Sequence, residues 1–162
     1  RLASRVLFEW NDLQGALPHA RRAIAIAQEW GGLEDTAFGH LDLARVLQAM
    51  GESKSALDAV REGRRLAGIF SPWFGAYAAA QQARLWLLQG NLDAAVGWAR
   101  ESGLGPDDEP GFQYILEYSV LARVLVAQDR PDQALALLDK LLKVAEAAGA
   151  GLPVIVKRRC TC

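Results

Sequence analysis

The sequence has only two cysteines and one methionine, and Cys160 and Cys162 both lie in its last three residues. Two sulfurs cannot complete a zinc site, and so near the end they read as part of a frayed tail. Neither sign of charge is in surplus: 18 basic against 19 acidic side chains leaves a net charge of −1. That balance provides no electrostatic footprint for nucleic acid or an anionic membrane surface. No uncharged apolar run approaches the ~18 residues needed to span a bilayer. The first residues do not read as a secretory signal, so a cytoplasmic protein is the expectation. No glycine-rich phosphate loop, nucleophile motif or carboxylate pair stands out, and no cofactor or catalytic role is expected. His19 and His40 are far apart and without clustered ligands, so each is expected to be an ordinary helix residue. Period-2 strand runs are also missing.

What the sequence does have is repetition. Four segments align: S-R-V-L-F-E-W-N-D-L-Q-G-A-L from Ser4, A-R-V-L-Q-A-M-G-E-S-K-S-A-L from Ala44, A-R-L-W-L-L-Q-G-N-L-D-A-A-V from Ala83, and A-R-V-L-V-A-Q-D-R-P-D-Q-A-L from Ala122. Their starts are 40, 39 and 39 residues apart. In each, an arginine (Arg5, Arg45, Arg84, Arg123) follows a small residue, and a turn former (Asn11, Gly51, Gly90, Asp129) stands seven positions after it. Five positions beyond comes an alanine every time: Ala16, Ala56, Ala95 and Ala134. Self-similarity at this period marks a solenoid.

The spacing has a steric logic. The small residue and the later alanine let two helices approach closely. The Gly, Asn or Asp between them ends the first helix in a left-handed turn. Asp12 and Asn91 suit the cap of a second helix, and Pro131 suits its first turn. Ser71-Pro72 announces another helix start. The pattern predicts helices over 1–10, 13–30, 34–50, 53–67, 72–89, 92–102, 113–128 and 131–148. Gly31-Gly32, Gly68, Gly103 and Gly149 are the expected stops. The stretch from Gly103 to Gly111, with P-D-D-E-P, reads as a solvated loop and not as a calcium site. Trp10, Trp30, Trp86 and Trp98 are expected to fill helix interfaces; Trp73 is left open.

Ala44 with Leu43 and Leu47, Gly51 and Ala56 resemble the tetratricopeptide (TPR) repeat. The unit is longer than the usual ~34 residues, which brings HEAT and armadillo arrays into comparison. The recurring Ala-x11-Ala frame favours the tetratricopeptide class. The expected fold is all-α: a right-handed superhelical array of antiparallel helix pairs, with repeats near 1–32, 33–70, 71–111 and 112–149. More specifically, F-E-W-N-D-L (8–13), A-R-L-W-L-L-Q-G-N-L-D-A-A-V-G-W-A (83–99) and G-L-G-P-D-D-E (103–109) are similar to the helical sensor region of MalT-like LuxR-family transcription activators. So are L-E-Y-S-V-L-A-R-V-L-V-A-Q (116–128) and P-D-Q-A-L-A-L-L-D-K-L-L (131–142).

In that family an N-terminal ATPase, the helical array and a C-terminal helix-turn-helix domain share one polypeptide. The array receives an inducer or an inhibitory protein. The resemblance implies a non-catalytic sensor whose partner is a small-molecule inducer or a regulatory protein or peptide, without direct nucleic-acid or membrane contact. A freestanding adaptor that binds a peptide or protein is the alternative. Both ends read as cut, residues 150–162 as a tail that is truncated or not native, and self-association as a further expectation.

By the same resemblance the residue after the small one points into a concave groove. Arg5, Arg45, Arg84 and Arg123 would then form a ladder suited to carboxylates, phosphates or polar ligands. Phe38 and Tyr77, seven residues before Arg45 and Arg84, would share that face, and Leu87 and Val126 would supply apolar floor. The competing reading gives these arginines to solubility or to pairing between repeats, or to helix-surface bridges, Arg45 with Asp42 and Arg5 with Glu9.

Overall fold

A computed structural model describes residues 1–149. The proposed tail, 150–162, lies outside the described residues. Among the described residues eight α-helices follow one another: α1 (Leu2–Glu9), α2 (Leu13–Glu29), α3 (Leu33–Ala49), α4 (Ser53–Phe70), α5 (Pro72–Leu88), α6 (Leu92–Glu101), α7 (Ile115–Ala127) and α8 (Pro131–Ala147). Sequential helices pack on one another, α1 on α2, α3 on α4 and α7 on α8, as a TPR-like helical repeat requires.

The repeat shows first in the turns. Asn11, Gly51, Gly90 and Asp129 all take positive φ, at 60°, 83°, 75° and 59°. Each ends its helix with the same two bonds. The turn residue's N–H donates to a carbonyl three residues back, as from Gly51 to Gln48 at 3.1 Å. The next N–H reaches five back: Asp12 to Leu7, Glu52 to Leu47 and Arg130 to Leu125 at 2.9 Å, Asn91 to Trp86 at 2.8 Å. This double closure satisfies carbonyls the helix end would otherwise leave orphaned. Gly31, Gly103 and Gly149 are left-handed too, as stops should be. Gly68 is not: α4 runs through it to Phe70, and Ser71 begins the next helix by accepting the Phe74 N–H at 3.4 Å. Asp12 caps α2 in the same way, from Gly15 at 2.9 Å.

The chain divides into two compact units, Arg1–Asn91 and from Leu92 onward. In the first, each helix packs on its sequence neighbours, and α3 also touches both α1 and α5. Ala37, Leu41, Ala44, Leu47, Ala56, Val60, Phe74 and Leu85 form its core. Both small positions of the repeat are buried in every copy, from Ser4 and Ala16 to Ala122 and Ala134. In the first copy they touch directly, the Ser4 hydroxyl donating to the Ala16 carbonyl at 3.0 Å. Two helix-interior glycines extend the rhythm. A Cβ on Gly39 would stand 2.7 Å from Ile24 of α2, and one on Gly63 would stand 2.8 Å from Leu41 of α3. An alanine at either place would have to displace the facing side chain, the Leu41 tip more readily than the Ile24 Cγ1.

In the second unit α7 packs on α6 and on α8, over Trp98, Val120, Leu121, Val124, Leu125, Leu137 and Leu141. A single 3-10 turn, Phe112–Tyr114, delays α7 past its expected start. The tryptophans do not share one role. Trp98 is buried and Trp86 half-buried, but Trp10 and Trp30 are 76% and 85% exposed. Each of those two occupies the helix C-cap, one residue before a left-handed turn, beyond the last packed turn.

Candidate functional site

Arg5, Arg45 and Arg84 lie on α1, α3 and α5 of the first unit; Arg123 lies on α7 of the second. Arg45 and Arg84 open onto one cleft of about 230 Å³. Its apolar floor comes from Leu41, Ala44, Val60, Leu85 and Leu88, with Phe8 at one side. Leu87, expected in that floor, is not among the lining residues, which on α5 instead stand one and four positions after Arg84. Gln48 and Gln81 add amide groups. Gln48 Oε1 accepts from Gln89 at 2.6 Å, and Gln81 donates to the Tyr77 hydroxyl at 3.1 Å. Tyr77 therefore reaches the cleft only through Gln81.

Phe38 and Tyr77 do meet, but in an aromatic cluster. Phe38 lies 4.0 Å from Phe74 and 6.1 Å from Tyr77 between ring centroids, and Trp73 joins at 6.2 Å from Tyr77. The Arg1 guanidinium sits over the Phe38 ring at 4.6 Å. Such pairs contribute ~0.5–1.5 kcal/mol beyond their area, so the cluster stabilises the α3–α5 contact.

The arginine pairings also differ from a single-helix reading. Arg45 binds Glu9 of α1 at 3.3 Å and stacks on the Phe8 ring at 4.6 Å. Asp42 takes Arg1 at 3.9 Å. The bridges cross between helices because the α1–α3 approach makes those atoms nearer than the same-helix partners. Burial pushes the Asp42 carboxyl above its ordinary range, against the opposing pull of Arg5, Arg1 and Arg45. Arg5 thus serves the edge of this charge cluster and does not line the cleft. Arg123 faces a separate cleft of about 300 Å³ with Ser119, Ala122, Val126 and Leu138, and donates to the Ser119 carbonyl at 3.4 Å. Val126 is in place there as apolar lining.

Phe8, Gln48 and Gln81 were absent from the sequence expectation. Each stands three residues from its repeat arginine, one helical turn along the same face, so period 3.6 held the signal. Among the described residues, no group of three or more His, Cys, Asp or Glu is placed to hold a metal ion. No helix among them is long and apolar enough to cross a membrane.

The family model of the MalT-like TPR region matches residues 1–156. The chain belongs to that family. No curated protein matches it at a significant level. The cleft under Arg45 and Arg84 presents guanidinium groups, amides beside them and an apolar base. It offers no nucleophile and no acid–base pair; the groups lining it can bind and orient.

Proposed function

We propose that this MalT-like TPR region is the regulatory, non-catalytic sensor of a LuxR-type, signal-dependent transcription regulator. It receives a small-molecule inducer or a regulatory protein or peptide in the cytoplasm, and other parts of such a regulator contact DNA. The family match over residues 1–156 carries this reading. The cleft supports it by bringing Arg45 and Arg84 of successive repeats to one opening. Stacked helix pairs that contact mainly their neighbours can change curvature when a ligand bridges two of them. A freestanding adaptor would use the same fold, and the family match favours the regulator over it.

Two measurements test the reading. A complete reading frame carrying a phosphate loop upstream and a helix-turn-helix segment downstream is expected; a frame with neither leaves only the adaptor. In a thermal-shift screen of small molecules and peptides, Arg84→Ala is expected to weaken the response of a hit ~10-fold, the effect of one charged hydrogen bond. Its unliganded melting temperature should stay near wild type. Arg123→Ala, which alters a separate cleft, should leave the response of that hit unchanged. Equal loss of stability and binding in Arg84→Ala would make that arginine structural.

A further inference from the structure

The second unit holds another cleft that the repeat pattern does not anticipate, of about 400 Å³. Leu121 and Leu125 of α7 form its floor, Val96 and Ala99 of α6 one side, and Leu104 and Pro106 of the connecting loop the other. Arg100, in the last turn of α6, and Arg130, at the start of α8, open into it with Gln128. Neither guanidinium makes an ion pair or side-chain hydrogen bond with a described residue. No acidic residue lines the cleft.

In the acidic loop next door, the carboxylates of Asp108 and Glu109 are tied elsewhere. Asp108 Oδ2 accepts the Gly105 N–H at 2.7 Å and the Tyr118 hydroxyl at 2.9 Å. Lys140 of α8 donates to the carbonyls of Asp107 and Asp108, both at 2.9 Å, and pairs with Glu109 at 3.2 Å. These ties fix Leu104 and Pro106 as a preformed wall, and the two exposed arginines are left without an ion-pair partner among the described residues. Pre-organisation of this kind removes an ordering cost from binding.

We propose that this cleft is a binding site for a small organic dianion with an apolar body, either a phosphate monoester or a dicarboxylate. Two guanidiniums match two negative charges, and the Leu121–Leu125 floor matches the apolar part. The volume falls in the range of small-molecule sites, ~300–1,000 Å³. This site is independent of the cleft under Arg45 and Arg84, and holds whether or not that cleft senses an inducer.

The test is titration calorimetry on the whole chain with phenyl phosphate and phthalate as the two dianion classes. Benzyl alcohol serves as the uncharged control and inorganic phosphate as the control without an apolar body. One of the two aromatic dianions is expected to bind with 1:1 stoichiometry, and the tighter one identifies the class. Both controls should bind at least ~10-fold more weakly. Arg100→Gln and Arg130→Gln should each weaken binding ~10-fold. Arg22→Gln, an equal charge change on α2, should leave it unchanged. Leu104→Asp should abolish binding without touching either arginine, which guards against a folding defect at the start of α8. The proposal is overturned if neither dianion binds, if the arginine variants bind as well as wild type, or if Arg22→Gln costs as much as they do.

Discussion

In the first turn of α7, Glu117 is 2% exposed, and neither carboxylate oxygen has a hydrogen-bond partner. Burial raises its pKa above the ordinary glutamate value, with only its own backbone N–H pulling the other way. The native state therefore keeps the proton at pH values where the unfolded chain has released it. The stability contributed by this group is fully present below the unfolded pKa and is lost as pH rises through the raised folded one. At neutral pH the fold carries the cost of a desolvated carboxyl with unmet acceptors, ~1–3 kcal/mol or more. Methionine has similar length and helix propensity and no polar oxygen. Losing an acidic group from the first helical turn gives back ~0.3–1 kcal/mol of dipole interaction. Glu117→Met is thus expected to raise the unfolding free energy by a net ~1–2 kcal/mol at pH 7. That corresponds to a melting-temperature rise of roughly 2–8 °C for a chain of this size. Urea denaturation at pH 5 and pH 8 should show the larger gain at pH 8. A variant that is less stable than wild type, or a gain equal at both pH values, would refute the reasoning. Either result would mean that the carboxylate is solvated or paired in solution.

The left-handed turns give a paired prediction. Gly51→Ala forces a Cβ into φ 83° and should cost ~1–2 kcal/mol, whereas Asp129→Gly relieves φ 59° and should stabilise by up to ~1 kcal/mol, both read from denaturation midpoints. Opposite signs at equivalent repeat positions are the test; equal signs would deny that the turn is conformationally selected. For the loop latch, the Gly105 N–H first and then the Tyr118 hydroxyl hold the Asp108 carboxyl below its ordinary range, while burial and Asp108 push the Tyr118 phenol up to about 12. The Asp108 contribution is present at neutral pH and is lost as pH falls through its lowered folded pKa. Tyr118→Phe should speed hydrogen exchange at residues 103–110 at neutral pH, and acid should bring the wild-type loop towards the same rate. Unchanged exchange in the variant would show that the latch does not order the loop.

The eight helices among the described residues, and the places where they stop, were legible in the chain because both are local properties. A left-handed turn needs Gly, Asn or Asp at one position, and Asn11, Gly51, Gly90 and Asp129 announce it without reference to any distant residue. The buried alanines were legible for the same reason: Ala16, Ala56, Ala95 and Ala134 recur at fixed distance from a small partner. Only Gly68 misled. Glycine inside a helix costs about 1 kcal/mol, and the remaining turn of α4 up to the Ser71 cap outweighs it. The site was legible in half. Helical phase put Arg45 and Arg84 on equivalent faces, but which groups pair with them is decided by how closely α1 approaches α3. That approach gave Arg45 to Glu9 and Phe8 and drew Phe38 and Tyr77 into the cluster around Phe74. The exposure of Trp10 and Trp30, the orphaned Glu117 and the unpaired Arg100 and Arg130 were likewise tertiary outcomes. A side chain's type states what it can bind, while burial and charge pairing depend on atoms brought near from elsewhere in the chain.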